Sequence, residues 1–128
     1  MTAKITKQNV IEISKALLQR IQQISEHHLY NVDSDLYYEG QTPIVAYLLL
    51  KGEVNLVKKR RKSILISPGS LFGLRELLLH EQSIYGAQIK ENSEVCLLDR
   101  SRLKEIIDFE TDDDLRSIFE NLILQTTG

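Results

Sequence analysis

The side chains with chemistry within reach are few: three histidines, one cysteine, five tyrosines and one dense run of positive charge. The run is Lys58, Lys59, Arg60, Arg61 and Lys62, set between two strand-like segments. Clustered cations bind phosphates or RNA, but no aromatic residue is interleaved here, and such a run also suits a solvated hairpin tip or the positive half of a protein contact. His27 and His28 are adjacent, so on a helix they point about 100° apart and do not converge on one metal. His80 is the only other histidine. A metal-dependent enzyme needs several converging donors, and the strands supply none, so neither a metal nor a cofactor is expected and no residue is nominated as catalytic. Cys96 lies in an apolar stretch with no histidine near it in sequence, which suits a buried structural thiol better than a nucleophile. Tyr37 and Tyr38 point to opposite faces of a strand, one to the core and one to the surface.

The totals narrow the setting. With 128 residues, 42% of them hydrophobic and 27% charged, the chain is sized for one domain with a real core, spanning 1–128. Sixteen basic against eighteen acidic residues leave a net charge of −2, which favours neither DNA nor an anionic membrane as partner. A single cysteine makes no internal disulfide, and the first residues lack the apolar core of a secretory signal. Apolar runs such as Ile44 to Leu50 are far shorter than a bilayer span. These features predict a soluble cytoplasmic protein.

Three kinds of element must position whatever site exists. From about 7 to 28, Val10, Ile13, Leu17, Ile21 and Ile24 recur at intervals of three and four, the pattern of an amphipathic helix. Its stripe either packs on its own domain or, since Val10, Leu17 and Ile24 are spaced by sevens, joins a second chain; Arg20 interrupts that seam. From about 35 to 99 the texture is short and β-rich: Leu36–Tyr38, Ala46–Leu50, Val54–Val57, Ser63–Ile66, Ala87–Ile89 and Val95–Leu98. Gly40, Gly52, Gly69 and Gly73 stand where the chain must reverse. Leu74 to Leu79, built of good helix formers, predicts a short helix between strands. Helices follow over about 100–125. Asp99 suits the first cap, with Leu103, Ile106 and Ile107 as its apolar face. Thr111 with Asp114 resembles a capping box for the second, whose stripe is Leu115, Ile118, Phe119, Leu122 and Ile123.

Leu36-Tyr-Tyr-Glu-Gly40, Tyr47-Leu-Leu-Leu-Lys-Gly52-Glu-Val-Asn-Leu-Val57, Ser67-Pro-Gly69-Ser-Leu-Phe72-Gly73 and Leu97-Leu-Asp-Arg100 appear in this order. Together they resemble the cyclic-nucleotide-binding domains of catabolite activator proteins, kinase regulatory subunits and gated channels, over about residues 28 to 124. The resemblance implies a mainly β fold with flanking helices: a cyclic-nucleotide-binding-type β-roll, that is a double-stranded β-helix or cupin-like jelly roll, with an N-terminal helix and two C-terminal helices.

In that family a phosphate-binding cassette, Phe-Gly-Glu, a short helix, then Arg-x-Ala-Thr, holds the ligand. Helix-start N–H groups and the arginine receive the cyclic phosphate, and the glutamate accepts from the ribose. Registered from Phe72 and Gly73, this chain has Leu74 for the glutamate and Ser83 for the arginine, followed by Ile84, Tyr85, Gly86 and Ala87. Hydrogen bonds to charged groups contribute about 1.5 to 3 kcal/mol each, so losing both costs roughly 3 to 6 kcal/mol, a hundredfold to ten-thousandfold or more in affinity. Arg75, one position past the lost acid, is left as an alternative anion contact, and Tyr85 or Ile84 as a filler of the vacated pocket.

The resemblance and these substitutions together imply a non-catalytic signalling module that no longer takes cAMP or cGMP and works by protein–protein interaction. Its partner is then a protein in a signalling complex, with room for a homodimer through the terminal helices. The helix-turn-helix by which activators of this family read DNA would follow the second C-terminal helix, where the sequence has only Gln125 to Gly128; no DNA contact is expected. The alternative is a true sensor of a cyclic mono- or dinucleotide that uses different contacts.

Overall fold

A computed structural model describes residues 4–5, 10–13, 15–58, 63–102, 117 and 120. Within them the chain forms β1 (Lys4–Ile5), β2 (Ile11–Glu12), α1 (Lys15–Ile24), β3 (Glu26–Tyr30), β4 (Ser34–Tyr37) and β5 (Ala46–Lys51). It continues with β6 (Val54–Val57), β7 (Ile64–Ile66), β8 (Ser70–Phe72), α2 (Leu74–Leu79), β9 (Gly86–Ile89) and β10 (Ser93–Leu98). The strands make two antiparallel sheets, one in the order β1-β2-β8-β5-β10-β3 and the other β4-β9-β6-β7.

Side-chain parity sorts the apolar residues into two cores. Along β5, Tyr47 and Leu49 face the space between the sheets, together with Val54, Leu56, Ile66, Phe72, Ala87, Ile89 and Val95. The alternate residues Ala46 and Leu48 belong to an outer cluster with Ile11, Ile21, Leu71, Leu74, Leu77, Cys96 and Leu98. Both helices contribute to this second cluster, so the six-stranded sheet carries them on its outer face. The four-stranded sheet turns a polar outer face to solvent through Asp35 and Gln88, which are exposed, and the half-buried Asn55.

The glycine punctuation is as expected: Gly40, Gly52, Gly69 and Gly73 have φ of +88, +93, +92 and +79°. At Gly52, in the β5–β6 turn, an added Cβ would also lie 2.0 Å from Ser93 Oγ. Only glycine satisfies both constraints there.

The first helix differs from its expectation over 7–28. Residues 11–12 pair with β8, Ile11 opposite Leu71 and Glu12 opposite Ser70, and residues 26–30 pair with β10, leaving α1 only ten residues. Val10 therefore lies outside the helix and is buried in the inner core at 7% exposure, while Ile21 and Ile24 pack on the outer cluster. The sevenfold spacing of Val10, Leu17 and Ile24 builds no seam along one helix. Leu115, Ile118, Phe119 and Leu122 lie outside the described residues, as do Lys59 to Lys62. The cap at Asp99 is in place: its Oδ1 accepts the Arg102 N–H at 2.8 Å, and a helical turn starts at Arg100.

Candidate functional site

The segment 72–87 joins the two sheets at one end of the roll. Phe72 ends β8 and points between the sheets, where its ring lies 5.4 Å from that of Tyr47, at 17° between planes. Tyr37 extends the stack at 5.9 Å and 29° from Tyr47. Three aromatic rings thus occupy the roll interior beside the segment. Tyr47 is pushed up to about 12, chiefly by burial. Burial first, and then the charge of Glu76, hold the Tyr37 proton well above the ordinary tyrosine range, while its hydrogen bond with the Ser83 side chain works the other way.

Gly73 turns the chain out of β8 at positive φ and opens α2. Leu74, the first helical residue, is fully buried in the outer cluster beneath α2 rather than facing the roll interior. Arg75, half-buried, pairs along the same segment with Glu81, Nε to Oε2 at 3.7 Å. Glu76 holds its proton above the usual carboxylate range, chiefly because it is desolvated. The far end of α2 is closed twice: His80, at φ +54°, donates its N–H to the Glu76 carbonyl, and the Arg100 guanidinium donates to the Leu77 carbonyl.

Ser83 is the best-anchored residue of the segment. It is buried, its N–H donates to the Gln41 carbonyl at 2.7 Å, and its carbonyl accepts from Gly40 at 2.8 Å. The Gln41 side chain in turn accepts the Tyr38 N–H at 2.8 Å, which ties the β4–β5 loop into the same arrangement. The Ser83 hydroxyl donates to the Tyr85 carbonyl at 2.6 Å. Ile84 does not fill the interior: it is 57% exposed. Tyr85 is half-buried against the inner core. Gly86 and Ala87 are buried at the start of β9, where a Cβ on Gly86 would come within 3.4 Å of the Tyr37 carbonyl.

The structure therefore brings Phe72, Ser83, Tyr85, Gly86 and Ala87 to the inner side and sends Leu74 and Ile84 elsewhere. Sequence reasoning gave Tyr47 and the Gly40–Gln41 loop no place at the site. The parity argument had put one of the two adjacent tyrosines inward, and Tyr37 is that one, while Tyr38 is 60% exposed.

The remaining candidates lie apart from this segment. Cys96 is fully buried in the outer cluster, and burial pushes its thiol up, while a side-chain hydrogen bond with Ser25 works the other way. His27 and His28 sit on β3, not on a helix, and their faces are opposite. The His27 ring places Nε2 2.7 Å from the Gln22 carbonyl and Nδ1 3.4 Å from Glu94; the His28 ring lies 4.7 Å from Tyr30. Among the described residues no group of three His, Cys, Asp or Glu is placed to hold a metal. No helix among them is long and apolar enough to cross a membrane.

The sequence profile described as the cyclic nucleotide-binding domain matches residues 28–109. Similar folds occur in solved structures. One, from a study of a cyclic-GMP-dependent signalling pathway in bacterial phytopathogenesis, has a TM-score of 0.76 at 16% identity, covering 91% of this chain and 95% of that one. The Thermus thermophilus catabolite activator protein gives 0.67 at 21% identity, with 90% of this chain matching 55% of that one. The c-di-GMP-responsive regulator CLP of Xanthomonas campestris gives 0.65 at 14%, with coverages of 89% and 61%. No curated protein matches the sequence significantly.

Proposed function

The chain belongs to the cyclic nucleotide-binding domain family, and from that premise we propose that it is a non-catalytic regulatory module whose cassette does not take cAMP or cGMP and which acts on a partner protein in a signalling complex. The observation that carries this reading is the state of Ser83. It stands where the resemblance expects the phosphate-gripping arginine, and its hydroxyl is already engaged by Tyr85 while its backbone is bound to the Gly40–Gln41 loop. Leu74, at the position of the ribose acid, is in a different core altogether. Arg75 answers Glu81. Leu74 and Ser83 carry no charge where the resemblance expects two, and the roll interior next to Ser83 holds the Tyr37, Tyr47 and Phe72 rings. The cost of about 3 to 6 kcal/mol for two absent charged hydrogen bonds turns a micromolar receptor into a non-binder.

The test is a thermal-shift and calorimetric screen of the purified chain against cAMP, cGMP and c-di-GMP. A ligand at a hundred times its dissociation constant adds about 2.7 kcal/mol, which for this size raises the melting temperature by roughly 8 to 15 °C. No shift is expected with any of the three. A clear shift that disappears in S83A or R75A would overturn the reading and make the module a ligand sensor. The c-di-GMP arm matters because the Xanthomonas campestris regulator sharing this fold responds to that dinucleotide.

A further inference from the structure

The outer face of the four-stranded sheet carries polar side chains that neither core uses. Asp35 on β4 stands opposite Gln88 on β9, and Gln88 opposite Asn55 on β6. A shared register and parity put one carboxylate and two amides in a single row across three strands, on the side away from the inner core. With neighbouring strands about 4.8 Å apart, the row is about 10 Å long. Among the described residues, none of these three side chains has a hydrogen-bond or ion-pair partner.

Two clefts adjoin along this row, since Asp35 and Gln88 line both. The smaller, of about 210 Å³, is bounded by Asp33, Asn55 and Lys90. Its charges answer each other: Lys90 Nζ lies 3.9 Å from Asp33 Oδ2, and Asp33 Oδ1 also accepts the Glu91 N–H at 2.9 Å. The larger, of about 350 Å³, is bounded by Tyr38, Glu39, Val57 and Gly86. In this next outward row Gly86 stands opposite Val57, and because the glycine bears no side chain, the half-buried valine is left as an apolar floor. Tyr38 stands exposed at the side. Every charged residue lining the larger cleft is a carboxylate, Asp35 or Glu39.

That lining discriminates between cations. An ammonium is a compact, strongly hydrated charge that gains little from a flat row of amides and an apolar floor. A guanidinium is planar and weakly hydrated, its fork of N–H groups matches a carboxylate two to two, and it stacks on aromatic rings. Asp35 offers the carboxylate, Gln88 and Asn55 offer amide oxygens to the remaining N–H groups, Tyr38 offers a ring, and Val57 offers apolar surface to the methylene stem. We infer that this sheet face docks an arginine side chain of a partner protein, with Asp35 as counter-ion and Tyr38 and Val57 as the walls. The inference gives the partner of the interaction module its chemistry, and it rests on that reading for the partner's being a protein.

The test is a nitrogen–proton correlation titration of the full chain with the capped tripeptide Gly-Arg-Gly, beside its citrulline and lysine counterparts. Saturable shifts are expected at the amides of Asp35, Tyr38, Asn55 and Gln88, weaker with lysine and absent with the uncharged citrulline. Asp35 and Tyr38 are exposed, so D35N and Y38A leave the cores untouched, which circular dichroism melts check. D35N should weaken binding about tenfold or more, and Y38A about threefold to fivefold. No saturable shift at these amides overturns the inference, as does equal binding of the citrulline or lysine peptide, or a D35N variant that binds like wild type. Maltohexaose shifting the same amides where the arginine peptide does not would make the face a sugar platform and overturn it equally. Titrating cAMP into the same sample reports on the cassette through the Ser83 and Tyr85 amides, so failure of the arginine site and failure of the non-binding cassette are read separately.

Discussion

The Ser83 hydroxyl donates to the Tyr85 carbonyl at 2.6 Å, two residues along the same segment. An internal bond of that kind leaves the serine nothing to offer a phosphate. Placing at Leu74 and Ser83 the charges that the resemblance expects there is therefore expected to cost stability without producing cAMP binding. In L74E/S83R a carboxylate enters the fully buried site of Leu74 and a guanidinium displaces a buried hydroxyl, a change of about 3 kcal/mol or more. The melting temperature should fall by roughly 10 °C or more, and titration calorimetry with cAMP should stay flat. A stable variant that binds cAMP would show that the cassette is a working frame.

Gly52 and Ser93 make a second prediction. With φ at +93° and a Cβ position 2.0 Å from Ser93 Oγ and 2.7 Å from its Cα, G52A is both strained and obstructed and should cost about 2 to 3 kcal/mol in urea unfolding. Ser93 Oγ also accepts the Glu53 N–H at 3.0 Å, so S93A alone should cost about 1 kcal/mol. The double variant should be less damaged than the sum, because the alanine Cβ no longer meets a hydroxyl.

Glu76 sets a pH dependence. Desolvation raises its pKa in the folded chain above the ordinary value of 4.5, so the folded state holds the proton more tightly than the unfolded one. Stability on this account is full below the unfolded pKa and is lost as pH rises through the folded one. E76Q should thus melt at a higher temperature than wild type at pH 7, with the difference gone at about pH 3.5. An equal difference at both pH values would remove the desolvation argument.

The tyrosines give the alkaline counterpart. Tyr37 and Tyr47 are raised, Tyr47 to about 12, while unfolded tyrosines ionise near 10. The folded state should begin to lose stability above about pH 10. Ultraviolet titration should show these two phenols ionising only with unfolding, and Y47F should narrow the loss.

Cys96 should be silent in the native state. Fully buried and with its thiol pushed up by burial, it should react with Ellman's reagent only at the rate of unfolding, and at once in denaturant. Fast native labelling would mean that the outer core opens.

How much of this was legible in the residues depended on burial asymmetry. Val54 to Val57 and Leu74 to Leu79 fall where the sequence puts them, because one alternates inward and outward against a core and the other uses good helix formers after a glycine. The expected helix runs on to His28, into β3, because four of that strand's five side chains are exposed and leave no period-two signal. Val10, just before β2, and Ile11 within it are buried in different cores, and neighbouring apolar residues of that kind fit a helical stripe equally well. At the site, the register from Phe72 singles out Ser83, which the structure places buried and hydrogen-bonded to the Gly40–Gln41 loop. The register does not carry the direction of Leu74, which is set by the outer core beneath α2, nor the exposure of Ile84.

The alternation along β5 has a thermodynamic outcome. Ala46 and Leu48 are fixed on one side and Tyr47 and Leu49 on the other, so peeling either layer away strips partners from the same strand that holds its counterpart. The helical layer and the aromatic layer should accordingly melt together, as one cooperative transition seen alike by far-ultraviolet dichroism and by tyrosine fluorescence.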